Sequence, residues 1–360
     1  MAGVSAQAYW SVLGLEARSA YVRRAAQVVL DVAGELVGFL GREHGRGPDQ
    51  AWALELLPGV DALHWAAGAA PHALAPRRVR AHTPLARGRR ARLVRAPVGT
   101  VGVVPSPRAP WAWPLEHAGV ALMAGNGVVL RASPAAERIV RVWERAGVPE
   151  GLVVLGSEED LARADVVRDD GAAHRDAPGP MLVLRDAGLE RAARAAAWAA
   201  DPGVPAGVAQ VLVARDVADA FARALARVGG EGVPIEPVVD TEEALTRAAA
   251  GPPAGGASVW SDDRAQALRV AGALTAHVVW INDHANPAGP RSPEAFTAVT
   301  RPALHVGAGP APWWPPRDAA LARALATTAA LLYGRESDRA GALRDGIRPL
   351  LRVAGRSLRR

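Results

Sequence analysis

The chain contains no cysteine and no lysine. The first absence excludes disulfides, thiolate metal sites and any thiol nucleophile within these 360 residues. The second excludes Schiff-base chemistry and lysine clamps on phosphate. All 42 basic residues are therefore arginine, a bias explained by genome-wide codon preference for Arg, Ala and Gly. Tyrosine and phenylalanine number only three each, too few for the aromatic platforms on which nucleic-acid bases stack. No apolar run approaches the roughly 20 residues of a membrane span. The N-terminus lacks the basic start and apolar block of a signal peptide, so a cytoplasmic protein is expected. No His/Asp/Glu spacing resembles a metal-ligand set, and no metal is expected.

What is present is ample for a large core. Half of the residues are hydrophobic (50%), and the length suits two domains. The net charge is +6 and the pI about 10.8. Basic residues cluster at Arg77-Arg78-Val79-Arg80, Arg87–Arg95 and Arg356–Arg360. No nucleic-acid motif accompanies them, so they read as solvated faces or subunit contacts. Neither a nucleic-acid nor a membrane partner is expected.

The stretch Pro97–Pro134 organises the chain. Thr100–Pro105 reads as a buried strand, Leu115–Ala124 as a helix closed by Gly125-Asn126-Gly127, and Val128–Arg131 as a second buried strand. Ser133-Pro134 then starts another helix, because Ser caps free N–H groups and Pro loses nothing at the first helical position. This is a parallel βαβ unit, and ligands of open parallel sheets sit beyond the carboxyl ends of the strands, here Pro105–Arg108 and Arg131–Ser133.

Ahead of this unit, Ala17–Glu43 has the apolar spacing of one amphipathic helix. A second helical region runs from about Asp49 to Ala70, with Trp52 and Trp65 as core residues. Arg90–Arg95 alternates weakly and suits an edge strand, where arginines deter promiscuous pairing. Beyond the unit come a helix at Ala135–Ala146 and strands at Leu152–Gly156, Asp165–Arg168 and Pro180–Leu184. A helix follows at Leu189–Ala200, then another at Asp216–Gly229 with an Asp cap. Asp240-Thr241-Glu242-Glu243 reads as a capping box. Ala257–Trp260 is a strand, Ser261 caps the next helix, and Val278–His284 is a buried strand with a polar end.

Pro97–Pro134 resembles the aldehyde dehydrogenase superfamily. Gly102-Val103-Val104, Pro105, Pro110, Pro114, Leu122, Gly125-Asn126, Val128-Val129-Leu130 and Ser133 fall without gaps into its G-V-[VI]-x-P-W-N-x-P…G-N-x-V-V-[LV]-K-P-S pattern. The resemblance spans roughly Ala17 to Arg352. Trp313–Gly334 and the Arg-rich end resemble the helical tail of one branch. The implied fold is α/β: a Rossmann-type parallel sheet, a second α/β catalytic-type domain and a helical C-terminal tail. The implied divisions are residues 1–188, 189–300 and 301–360. Subunits of the family join through a protruding sheet that includes the Arg90–Arg95 segment, so the resemblance implies a homodimer, or a hetero-oligomer with an active relative.

The departures from the family pattern are specific. The family reaction needs a thiolate to attack the aldehyde, N–H donors including an Asn side chain for the oxyanion, a nicotinamide to take hydride, and a carboxylate to activate water. In register, the thiol position holds Pro205, the Asn position Arg108 and the carboxylate position His174. No Ser, Thr, Tyr, Lys or Cys lies between Glu158 and Asp240 to replace the nucleophile. Asp169–Gly179 runs straight from one strand to the next where the family has a helix facing the cofactor pyrophosphate, and a deletion of that helix is inferred. The loop Pro287–Pro290 is shortened. Family cofactor contacts map to Pro105, Arg131 and Ser133, so NAD or NADP is implied by resemblance while weak or absent binding is expected. His284, at a strand end near the expected cleft, reads as a polar cap. The chain is thus expected to be a shortened, non-catalytic or partner-type member. The alternative is an NAD(P)-dependent oxidoreductase acting on aldehydes by an unassigned mechanism.

Overall fold

The computed structural model describes residues 6–80, 90–169, 174–286, 291–307 and 319–357. Of the stretches singled out above, 87–89, 170–173, the loop Pro287–Pro290, the Trp313 end of the tail and residues 358–360 lie outside the described residues.

Five helices open the chain: α1 Ala6–Val12, α2 Leu15–Asp31, α3 Ala33–His44, α4 Pro48–Gln50 and α5 Leu57–Ala73, the last two joined by a π-helical turn at Ala51–Leu56. The single helix expected over Ala17–Glu43 is two. It breaks at Val32, whose φ of −108° and ψ of 13° leave the helical region. Trp52, expected in the core, is 40% exposed, whereas Trp65 packs on Phe296 with ring centroids 5.4 Å apart.

Strands β1 Arg77–Val79 and β2 Ala91–Pro97 lead into β3 Thr100–Val104, α6 Ala112–Met123, β4 Gly127–Arg131, α7 Pro134–Arg145, β5 Val153–Gly156, α8 Glu158–Ala162 and β6 Val166–Asp169. Strands β3–β6 form a parallel sheet in the order β5-β4-β3-β6. The N-terminal helices and α6 and α7 share one core around Trp10, Phe39, Trp111, Leu115 and Trp143. Burying a side chain such as Leu115 contributes about 1.5–3 kcal/mol. Ser133 caps α7 as its sequence implies, its Oγ accepting from the Ala136 N–H at 3.1 Å. Among the described residues, β6 passes to the next strand through a turn at 174–176 with no intervening helix.

A second sheet follows. Its elements are β7 Gly179–Val183, α9 Leu189–Ala199, β8 Val208–Ala214, α10 Ala218–Ala226, β9 Ile235–Val238, α11 Thr241–Ala250, β10 Ala254–Trp260, α12 Arg264–Ala271 and β11 Ala276–Ile281. The order is β11-β10-β7-β8-β9, all parallel, with the chain reversing direction across β7. That is a doubly wound sheet. β7 precedes residue 188 yet stands at its centre. The expected caps differ in detail. Asp216 does not cap α10; it pairs with Arg185 at 2.6 Å. Ser261 does not cap α12; Asp263 does, while the Ser261 hydroxyl donates to Asp186 at 2.8 Å. Asp240 caps α11, and Glu243 reaches back to the Val239 N–H at 2.6 Å.

The last elements are α13 Glu294–Thr297, β12 Thr300–Val306, α14 Ala319–Tyr333 and α15 Glu336–Ser357. Two compact units result: residues 6–75 with 96–301, and residues 76–95 with 302–357. In the three-stranded sheet β1-β2-β12, β2 is central, so the Arg90–Arg95 segment is not the edge strand its charge suggests.

Close backbone packing at the start of the second sheet makes Gly179 sensitive. A Cβ there would press on the Gly256 carbonyl and lie 2.7 Å from the Ala254 Cβ. Gly179→Ala is expected to lower unfolding free energy by about 1–3 kcal/mol in urea denaturation, as overpacking does. An unchanged midpoint would contradict this packing of β7 against β10.

Candidate functional site

A cleft of about 330 Å³ lies in the first unit, between the N-terminal end of α6 and the amino ends of β7 and β8. Its walls include Trp113, Glu116, Pro205, Ala206, Trp280 and Arg291. One wall is thus the α6 start that follows β3, and the other combines the loops entering β7 and β8 with β11 and the residues that follow it.

The loop Asp201–Ala206, between α9 and β8, forms the sheet-side wall. Each of its bends is fixed by a hydrogen bond. Asp201 accepts from the Gly203 N–H at 2.7 Å and from Gln50 Nε2 at 2.7 Å. Arg108 Nε donates to the Pro202 carbonyl at 3.2 Å. The Ala206 N–H donates to the Asp176 carbonyl at 2.9 Å. Ala206 has a φ of +52°, the left-handed region that costs a non-glycine residue of order 1 kcal/mol or more. The other described non-glycine residues with positive φ are His174, Asn282 and Ala285. Ala206 and Ala285 line the cleft, and His174 and Asn282 lie close in sequence to its wall residues.

His284 explains how Ala206 is held. The imidazole is buried, stacks at a tilt on Trp280 with centroids 5.1 Å apart, and has both nitrogens engaged. Nδ1 lies 2.7 Å from Ser258 Oγ and Nε2 lies 3.2 Å from the Ala206 carbonyl. Trp260 Nε1 donates to the same Ser258 oxygen at 3.1 Å. The Ala206 carbonyl can only accept, so in the neutral ring Nε2 carries the proton and donates to it, and Nδ1 accepts from the Ser258 hydroxyl. Burial pushes the His284 pKa down to about 4, in keeping with a neutral ring.

The α6 side is held by a buried ion pair. Glu55 and Arg46 meet at 2.8 Å, and Glu55 also accepts from the Trp111 and Ala112 N–H groups at 3.1 and 2.8 Å. These are free donors at the start of α6, where an anion is favoured. Arg46 in turn donates to the Arg108 carbonyl at 2.5 Å. Burial pushes the Glu55 carboxyl up to about 7 in spite of these partners. A second clamp crosses the cleft rim. Arg291 bonds Glu116 at 3.0 Å, the Pro58 carbonyl at 2.9 Å and Asp61.

Parts of the chain are similar to known proteins. Residues 2–173 match the aldehyde dehydrogenase family. A vanillin dehydrogenase from an Amycolatopsis species is 30% identical over 225 residues, covering 54% of this chain and 45% of that protein. An N-succinylglutamate 5-semialdehyde dehydrogenase from Burkholderia ambifaria is 33% identical over 150 residues, covering 41% of this chain and 30% of that protein. Residues 2–173, just under half of the chain, thus carry an aldehyde dehydrogenase family domain. Solved structures agree on the fold. An NAD-dependent benzaldehyde dehydrogenase from Corynebacterium glutamicum has a TM-score of 0.70 at 20% identity, over 84% of this chain and 87% of that one. An indole-3-acetaldehyde dehydrogenase in complex with NAD+ has a TM-score of 0.71 at 21% identity, over 82% and 85%. The chain spans less than half the length of these curated relatives.

The residues assigned from the superfamily pattern are only partly brought together. Pro205 lines the cleft and Arg108 reaches the same loop through Pro202. His174 is exposed, and its neighbour Arg175 lines the cleft instead. Pro105 is half-buried at the end of β3. Arg131 pairs with Glu158 at 3.5 Å and Ser133 caps α7, and neither lines the cleft. The nicotinamide cofactor implied by the superfamily fits these residues poorly. The helix start paired with Arg131 through Glu158 is α8, whose first turn holds Glu158, Glu159 and Asp160. Three carboxylates there oppose a pyrophosphate.

Sequence reasoning missed Glu55, Arg46 and Arg291. Glu55 had a signal, a lone carboxylate inside the apolar run Trp52-Ala53-Leu54-Glu55-Leu56-Leu57. Arg46 and Arg291 had none among so many arginines.

The two buried titrating groups oppose each other. The unfolded chain releases the Glu55 proton near 4.5 while the fold keeps it to about 7. Glu55 therefore lowers stability as pH rises through that window. The unfolded chain binds a proton on His284 below 6.5, while the fold excludes it down to about 4. His284 therefore raises stability as pH rises through an overlapping window. Each shift is worth about 3 kcal/mol. Urea denaturation of Glu55→Gln is expected to show stability rising more steeply with pH across this window than the parent chain, and His284→Gln to show it falling. Variants that both track the parent would contradict these environments.

Proposed function

We propose that this chain is a non-catalytic member of the aldehyde dehydrogenase superfamily, which keeps the cleft as a binding site and acts through a partner protein. Pro205 carries the reading. It occupies the place assigned to the thiol, on a loop tied down at Asp201, Pro202 and Ala206, in a chain without cysteine. The surrounding side chains support it. Arg108 is committed to a backbone carbonyl, and both nitrogens of His284 are engaged. Loss of the covalent step removes the route to the thioester, a deeper defect than loss of any one assisting group. With acids at the α8 start, nicotinamide binding is weak or absent. A homodimer, or a hetero-oligomer with an active relative, is the assembly in which such a chain acts.

One observation favours a second reading, oxidation of aldehydes by an unassigned mechanism. Two of the similar proteins are named for vanillin and benzaldehyde, and two tryptophans, Trp113 and Trp280, line this cleft.

Incubation of the purified chain with aromatic aldehydes and NAD or NADP separates the two. No reduced nicotinamide is expected, and calorimetry is expected to show no micromolar binding of NAD. Quenching of tryptophan fluorescence by the same aldehydes is expected from an open cleft. Turnover above the protein-free rate would overturn the proposal.

A further inference from the structure

Helix α15 shows two parallel rows of exposed side chains. Leu343, Ile347 and Leu351, four residues apart, are 45%, 44% and 67% exposed. Such spacing puts them on one helix face. Arg344, Arg348 and Arg352, also four apart and all exposed, form the row alongside. The side of the helix bordering the apolar row is the one that packs, because Gly346 follows Leu343 by three positions. Gly346 is buried against α14, where a Cβ would collide with Thr327. The outer face is thus fixed by the hairpin and not by fraying.

Apolar residues this large do not usually stand exposed in a row on a helix of a water-soluble unit. Charge identifies what covers them. From Arg335 to Arg360 there are eight arginines and three acids, nearly all of the chain's net charge of +6. Asp345, the acid nearest the rows, pairs among the described residues with its neighbour Arg344, at 3.5 Å on an exposed surface. An apolar row beside a basic one is the pattern of a helix lying in the plane of a membrane interface, its leucines in the acyl boundary and its arginines at acidic headgroups. A second copy of the same face would set arginine row against arginine row.

We propose that α15 is a docking surface for an anionic lipid bilayer, bound peripherally. No helix among the described residues is long and apolar enough to cross a membrane. The missing spanning run, which led to the expectation of no membrane partner, has no bearing on a helix that lies flat. The proposal does not depend on whether the cleft is catalytic.

Sedimentation of the full chain with phosphatidylglycerol–phosphatidylcholine vesicles, against vesicles of phosphatidylcholine alone, tests this. Binding is expected only to the anionic vesicles and is expected to weaken with added salt. Replacing the three arginines (R344E, R348E, R352E) is expected to reduce partitioning at least about 100-fold. Replacing the apolar row (L343S, I347S, L351S) is expected to weaken binding without abolishing its salt dependence. Both triplets are exposed, so circular dichroism and thermal unfolding should match the parent and exclude misfolding. No binding at millimolar lipid would overturn the proposal. So would equal binding to neutral vesicles, or parental binding by both variants. Concentration-dependent self-association relieved by the serine variant would overturn it in favour of a second copy of the chain.

Discussion

The cleft depends on one chain of hydrogen bonds, from Trp260 through Ser258 and His284 to the carbonyl of Ala206. Ala206 sits in a backbone conformation that an alanine does not choose. Its own N–H is tied to Asp176, and its carbonyl to a ring that is buried and neutral. The strands β10 and β11 supply Ser258 and Trp260, and Trp280, so the shape of the loop is set by the sheet beneath it. A wall held this way does not depend on the side chain at Pro205. That is the physical reason an inherited loop can keep its course after its chemistry has changed.

The facing wall follows the same rule with opposite electrostatics. Glu55 sits under the start of α6 and Arg46 bridges it to the Arg108 carbonyl. A buried pair of this kind contributes less to stability than to fixing one arrangement, because desolvation offsets most of the attraction. Its effect is to place Trp113 and the Arg108 turn opposite the Pro205 loop. Arg291 then joins the rim from the far end of the unit.

Much of this was legible in the residues. The βαβ unit at Pro97–Pro134 carries its own punctuation: two buried β-branched runs, a Gly-Asn-Gly stop and a Ser-Pro start. All of these appear where the sequence puts them. What was hidden arose from tertiary partners. Asp216 and Ser261 look like caps, but an arginine and an aspartate from neighbouring strand ends compete for them. The Arg90–Arg95 charges suggest an edge, yet β1 and β12 flank the strand. His284 looked like a strand cap because periodicity does not show a chain turning back beneath its own sheet. The cleft itself was only half readable. Pro205 was found through the superfamily register, and the buried pair behind α6 was not.

The central claim is that His284 is a neutral structural lock and not a base poised for chemistry. Nitrogen-15 NMR of the labelled imidazole at about pH 6, near the ordinary histidine midpoint, reads this directly. The account predicts an uncharged ring with its proton on Nε2 and slow exchange with water. An imidazolium, or a ring protonated on Nδ1 with Nε2 free, would contradict it.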